Sequence, residues 1–425
     1  MSAIKLGDFI TLQRGTTYKG QLLGQEGVVL IGLASIQREG GFRDDKLETY
    51  GGECPEKISL RAGDLYVSLK DITNDGHLLG AVARIPEKIK LGRLTQDTVK
   101  LVFLKDEFPR NYIYWLLRTP QCRNYCRSLQ TGTTNLGLGR EDFLSFQVPP
   151  LTDFSSSIVE SLEAIEKKIE NLRRQNETLE QIARSLFKHW FIDFEFPNAI
   201  SKPYKSSGGA MFASELGNIP EGWCVTTIEK IASRIAMGPF GSRITTDNFV
   251  NSGIPIIRGG NLVNGFNEDS FVYLTPEKAD ELKSSNVFPE DIVFTHRGTL
   301  GQVGFIPTNA KHPRYVVSQS QMFLSVNKSL ASSRFVYHFF SSKIGIDALL
   351  ANKNTTGVPS IARPSTSLKA IQIVLPENKI MERFDALITS IDFKKDSNTK
   401  QIQTLTKTRD SLLPKLMSGQ LRVKE

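Results

Sequence analysis

Along the chain, short apolar runs and one long apolar stripe occur in each half, in the same order. In the first half Ile158, Leu162, Ile165, Ile169, Leu172, Asn176, Leu179, Ala183 and Leu186 are spaced alternately four and three apart. Such spacing predicts a coiled-coil-like helix whose seam holds these side chains. Glu163, Glu166, Lys167, Lys168, Glu170, Arg173 and Arg174 fill the flanks, as a solvated face requires. Phe384, Ile388, Ile391, Ile402, Leu405 and Leu412 repeat the stripe in the second half, where Lys395, Asn398 and Arg409 interrupt it. One stripe per half implies that the two helices pack on each other, antiparallel if a pseudo-twofold axis relates the halves. Asn176, polar within the seam, then favours a single register at some cost in stability.

Before each stripe lie about 150 residues of β-like runs broken by Gly, Pro, Asn and Asp. These segments match one another. Gly63-Asp64-Leu65-Tyr66-Val67-Ser68 corresponds to Glu290-Asp291-Ile292-Val293-Phe294-Thr295, and Leu79–Pro86 to Leu300–Pro307. Thr131-Gly132 recurs as Thr356-Gly357, Phe146-Gln147-Val148 as Ile371-Gln372-Ile373, and Thr178-Leu179 as Thr404-Leu405. Five matches in one order, at offsets between 221 and 227, define an internal repeat. The expected fold is α/β of the α+β kind: two β-rich domains, at 1–151 and 196–377, and two helical segments, at 152–195 and 378–425. Pro197, Pro203, Ser206, Ser207, Gly208 and Gly209 read as a flexible linker opening the second domain.

With 40% hydrophobic and 23% charged residues, the chain can build real cores. No apolar run nears the roughly 20 residues that cross a bilayer, and the first residues carry no apolar signal region, so a soluble, cytoplasmic protein is expected. A net charge of +8 leans toward a polyanionic partner. Four cysteines are too few for a disulfide framework, and Cys122 and Cys126 find no second ligand pair for zinc. There is no G-x-x-x-x-G-K-[ST] for a nucleotide triphosphate. Gly137-Leu138-Gly139 runs into Arg140-Glu141-Asp142 and fails as a dinucleotide loop. Pro149-Pro150 stands between Val148 and Leu151, without the polar and aromatic neighbours that hold a flipped base in an amino-methyltransferase. Glu141-Asp142 and Glu290-Asp291 suit turns and strand starts. No catalytic or metal-ligating residue is assigned.

Binding candidates fall in loops that recur at matching places. Near each domain's start lie Arg14-Gly15-Thr16-Thr17-Tyr18-Lys19 and Gly238-Pro239-Phe240-Gly241-Ser242-Arg243. After the matched strand come Lys70-Asp71 and His296-Arg297-Gly298-Thr299. Late in each domain come Thr131-Gly132-Thr133 with Arg140, and Lys353 to Gly357 with Arg363; Arg258 joins the second set. Glycine lets a backbone approach a phosphate, arginine can grip guanine or phosphate with two bonds, and Tyr18 and Phe240 add flat apolar surface. Taken singly, each loop also reads as an ordinary turn with a solvated cation.

The duplicated plan, Trp190-Phe191-Ile192-Asp193-Phe194-Glu195-Phe196-Pro197, the run Leu216-Gly217-Asn218-Ile219-Pro220-Glu221-Gly222-Trp223 and the closing Ser411–Leu421 together resemble the specificity subunit of a type I restriction-modification enzyme. Two departures stand out. The first domain starts directly at Lys5-Leu6-Gly7-Asp8-Phe9 without an Ile-Pro-Glu-Gly-Trp opening, and Lys70-Asp71 stands where the second has Arg297-Gly298-Thr299. The resemblance implies two target-recognition domains reading a bipartite sequence in double-stranded DNA. It also implies a helical ruler docking two modification subunits, with restriction subunits as possible further partners. S-adenosylmethionine, ATP and magnesium would then sit on those partners and none on this chain, which would be non-catalytic. Two other readings remain: a stand-alone DNA methyltransferase or nuclease, and a coiled-coil scaffold whose end domains bind protein.

Overall fold

The computed structural model describes residues 4–45, 47–72 and 75–417. It forms two compact units, one of residues 1–172 with 400–425 and the other of residues 173–399. The helices Asp153–Phe187 and Asn378–Met417 each contribute a stretch to both units.

In the first unit an antiparallel sheet has the order Ile10–Arg14, Thr98–Phe103, Leu65–Ser68, Val82–Arg84. A second sheet has the order Thr49–Tyr50, Leu23–Ile31, Gly92–Leu94, Ser59–Leu60, and its central pair is parallel. In the second unit the corresponding antiparallel sheet runs Ala232–Met237, Gln321–Val326, Ile292–Thr295, Val303–Phe305. Its five-stranded companion again holds one parallel pair, Ile254–Ile257 with Tyr315–Val317. The repeat seen in the sequence is therefore a repeat of topology.

Local chemistry repeats as well. Gly63 and Glu290 both take positive φ, 85° and 76°, at the turn before the matched strand. In each turn the following aspartate accepts a backbone N–H three residues back: Arg61 N to Asp64 Oδ2 at 2.8 Å, and Phe288 N to Asp291 Oδ2 at 2.9 Å. Glu290-Asp291 thus form a turn, as their position suggested, whereas Glu141-Asp142 lie in the first turn of the helix Arg140–Leu144. A pair of short helices follows each sheet, Arg110–Leu117 with Pro120–Ser128 and Ser333–Ser341 with Lys343–Leu350. Thr119, Ser332 and Ser342 start three of them, each hydroxyl accepting an N–H of the first turn at 3.1–3.3 Å.

The first core gathers Phe9, Trp115 and Phe143 around Ile158 and Leu162 of the first long helix and Leu413 of the second. The second is aromatic: Phe187, Phe191, Phe335 and Phe384 lie with centroids 4.9–6.0 Å apart. Tilted and edge-on rings of this kind gain beyond their buried area.

Within each unit the long helices pair antiparallel. In the first, Arg409, almost buried, donates to Glu166 at 2.6 Å. In the second, Asn398 Nδ2 donates to Asn176 Oδ1 at 2.9 Å, and Asn176 Nδ2 reaches Thr399 Oγ1 at 3.3 Å. Burial alone would raise the Glu180 carboxyl, but Lys395 and Arg184 outweigh it and hold it below the usual range. Lys395, Asn398 and Arg409 thus do not interrupt the pairing; they are its polar contacts. The stripe itself is inward-facing, with Ile158, Leu162, Ile169, Leu172 and Ile388 buried and Ile165, Leu179, Ile391, Ile402, Leu405 and Leu412 half-buried. At its end the inward position passes from Leu186 to Phe187, four residues after buried Ala183, and a π turn over Lys188–Ile192 follows.

The segment after Pro197 is not a loose linker. Phe196 stacks on Tyr204 at 4.5 Å and on Trp223 at 4.9 Å, and backbone bonds join Tyr204 to Phe196 and Lys205 to Phe194. Aromatic burial there outweighs the freedom that its prolines and glycines suggest.

Candidate nucleic-acid interface

In each unit the candidate loops hang on one tight turn. The turn Thr95–Thr98 precedes the second strand of the first antiparallel sheet, and Ser318–Gln321 is its counterpart. The chain leaving the first strand runs against this turn so closely that a side chain would not fit. A Cβ at Gly15 would stand 2.1 Å from the Thr95 carbonyl oxygen, and one at Gly238 would stand 1.9 Å from that of Ser318. Gly15 N donates to Thr98 O at 3.2 Å, and Gly238 N to Gln321 O at 2.9 Å. Both glycines are needed for close approach and not for an unusual φ.

Around the first turn, Arg14 Nε donates to Gln96 O at 3.0 Å and Lys70 Nζ bonds Asp97 at 2.8 Å. Lys70-Asp71 is itself a short strand paired with Leu136-Gly137, and this joins it to the loop carrying Thr133 and Arg140. Arg93, 5% exposed, supports the loop beyond Gly15: Nη2 donates to Thr16 Oγ1 and Thr17 O, both at 2.9 Å. Its guanidinium lies 5.1 Å from the Tyr50 ring, against which Tyr18 packs edge-on at 6.1 Å. Sequence reading missed Arg93; nothing in a lone Arg between Gly92 and Leu94 marks it as a strut. Lys19 and Arg140 remain exposed, without a carboxylate partner among the described residues.

Around the second turn, His296 Nε2 lies 3.1 Å from Gln319 O and its backbone N–H donates to Ser320 O. His296 is 6% exposed, and burial holds its pKa below the usual value, so the ring is neutral. It anchors the loop and leaves Arg297 and Thr299 exposed. Arg297 bridges to Ser360, and Gly298 N donates to Pro359 O at 2.8 Å, so the loops at 296–299 and 353–361 form one surface. Lys353 and Arg363 are exposed there, and Arg243 is exposed on the loop that follows Gly238, with no carboxylate partner among the described residues. Arg258 is exposed too, its Nη2 donating to Ser270 O at 3.3 Å. Beneath lies a buried polar chain. Ser318 Oγ donates to Gln321 Oε1, Gln321 Nε2 to Thr295 Oγ1 at 3.4 Å, and Thr295 Oγ1 to Gln302 Oε1 at 2.8 Å. The loops are thereby fixed from below while their outer side chains stay available, the arrangement a reading surface needs.

Phe240, at 62% exposure, is the most exposed ring of this set; Tyr18, at 41%, leans on its own unit. No cluster of three His, Cys, Asp or Glu suited to a metal occurs among the described residues. No helix among them is long and apolar enough to cross a membrane.

Residues 220–404 match the family model described as the type I restriction modification DNA specificity domain. The chain is 26% identical over 336 residues to the type I restriction enzyme MjaIX specificity subunit of Methanocaldococcus jannaschii, covering 78% of this chain and 73% of that protein. It is 20% identical over 331 residues to the HindI specificity subunit of Haemophilus influenzae, covering 65% and 69%. Its fold is similar to the crystal structure of the type I restriction-modification S subunit from M. genitalium, with a TM-score of 0.53 at 15% identity over 98% of this chain and 95% of that one. The duplicated sheet-and-loop scaffold with paired helices is thus similar throughout to relatives of one kind, the specificity subunits of type I restriction-modification enzymes, and residues 220–404 match their DNA specificity domain.

Proposed function

We propose that each unit reads one part of a split sequence in double-stranded DNA, and that the chain has no catalytic activity of its own. The observation that carries this reading is the repeated turn. Thr95–Thr98 and Ser318–Gln321 gather equivalent loops in both units, and side chains able to bond bases or phosphates crown each set. Two copies of one reading device suit a target in two parts. Arg297 and Arg258 are assigned to base edges; Lys353, Arg363, Lys19 and Arg140 to phosphates. The paired helices dock two modification subunits that hold S-adenosylmethionine. Restriction subunits, where present, bring ATP and magnesium, and the assembly works in the cytoplasm.

Methylation-sensitive sequencing of the host genome tests the reading directly, because it must reveal a bipartite motif that vanishes when this gene is deleted. A continuous motif would refute it. Calorimetry of the purified chain with S-adenosylmethionine separates it from a stand-alone methyltransferase, which would bind the cofactor by itself. A protein-binding scaffold would show no salt-dependent affinity for duplex DNA.

A further inference from the structure

The two units present an aromatic side chain at the same place, two or three residues past the glycine seated on the turn, but in opposite conditions. In the first unit Tyr18 lies edge-on against Tyr50, whose ring also meets the buried Arg93 guanidinium and whose hydroxyl accepts the Lys19 N–H. Its ring is held back on its own unit. In the second, Phe240 has no ring or cation partner among the described residues and shows 62% of its surface. The loop around it is nevertheless built: Gly238 is pinned to Gln321 O, and a 3₁₀ turn over Gly241–Arg243 follows, entered through Gly241 at φ 70°. That loop shares the Ser318–Gln321 turn with the loop bearing Arg297, since His296 bonds Gln319. A large apolar side chain projecting from a pinned loop beside unpaired arginines matches the wedge by which proteins part stacked bases.

We propose that Phe240 inserts at a base-pair step inside the half-site read by the second unit and partly unstacks it, while Tyr18 leaves the other half-site stacked. The target is thus deformed on one side only. The insertion favours a flexible pyrimidine–purine step, whose unstacking costs least. Ring contact with a base stabilises the complex, and a tenfold effect on affinity is of the expected size. This rests on the DNA-reading assignment above.

The test uses the complete complex of this chain with its modification subunits, without S-adenosylmethionine, on a duplex carrying the split motif read from the host genome. 2-Aminopurine replaces single bases in either half, never the methylated adenine. Fluorescence should rise on binding at one step of the second unit's half-site and nowhere in the other. Phe240→Ala should abolish the rise and weaken binding about tenfold; Phe240→Tyr should keep both, and Tyr18→Ala should leave the signal unchanged. A rise that survives in Phe240→Ala, or no rise in a complex that does distinguish the motif from a scrambled duplex, overturns the insertion alone. Failure to distinguish the two duplexes overturns the DNA-reading assignment, and the insertion with it.

Discussion

Replacing Gly238 with alanine puts a Cβ 1.9 Å from the Ser318 carbonyl oxygen, whereas real Cβ atoms essentially never come within 3.0 Å of such a neighbour. The obstacle is backbone, so the loop or the turn must give by about 1 Å. Overpacking of this size costs about 1–3 kcal/mol of stability, and the displacement falls on the segment that positions Phe240 and Arg243. One well-placed bidentate base contact is worth about 1–3 kcal/mol, so losing its geometry weakens binding roughly tenfold or more. Anisotropy measured on duplexes with one half-site scrambled at a time separates the effects. Gly238→Ala should lose discrimination in the second unit's half-site and keep it in the other. Gly15→Ala, with its Cβ 2.1 Å from Thr95 O, should do the reverse. Affinity for a fully scrambled duplex should change little, since the surface cations remain. If Gly238→Ala keeps its melting temperature and both discriminations, the turn does not hold the reading loops and the scheme of the interface is wrong.

Arg297→Ala should relax the base preference at one position of one half-site, as scored by sequencing of bound fragments; uniform weakening on all sequences would make Arg297 a phosphate contact. Burial lowers the His338 pKa to about 4. Because the folded state resists protonation, its stabilising contribution is complete above pH 6.5 and falls as pH drops toward 4, by about 3 kcal/mol in all. Melting curves across that range should flatten for His338→Gln; an unchanged acid limb would place the loss elsewhere. In the seam, Asn176→Leu combined with Asn398→Leu should raise the melting temperature by a few degrees, since a buried amide pair gives up apolar contact for register. A lower melting temperature would show that the amides contribute more to stability than leucine packing could.

The helical stripes were legible because their period is long and their burial continuous: Ile158, Leu162, Ile169, Leu172 and Ile388 face inward as the spacing requires. The repeat was legible because strand-forming runs and turn aspartates were both copied. Other features were not. Lys395, Asn398 and Arg409 read as breaks because one helix does not reveal what its neighbour offers, here Glu180, Asn176 and Glu166. Proline and glycine between 197 and 209 spoke for flexibility, while the stacking of Phe196, Tyr204 and Trp223 depends on residues far along the chain. In the loops, residue type identified cations and rings but not their neighbours. It could not tell Lys70, tied to Asp97, from Arg297, or a buried His296 from an exposed one. Gly15 and Gly238 looked like any turn glycine, and the close carbonyl oxygen of the matched turn facing each is visible only in the fold.

That contact is made of main chain on both sides: a glycine Cα, a carbonyl oxygen and one N–H bond. It places no demand on the side chains that follow. Residues 239–243 other than Gly241, kept for its φ of 70°, can therefore change in size, charge and hydrogen-bonding character without disturbing their own support, and residues 16–20 have the same liberty apart from the three oxygens of Thr16 and Thr17 that Arg93 holds. A new target sequence can be acquired by altering the tips alone, one half at a time, at little risk to folding.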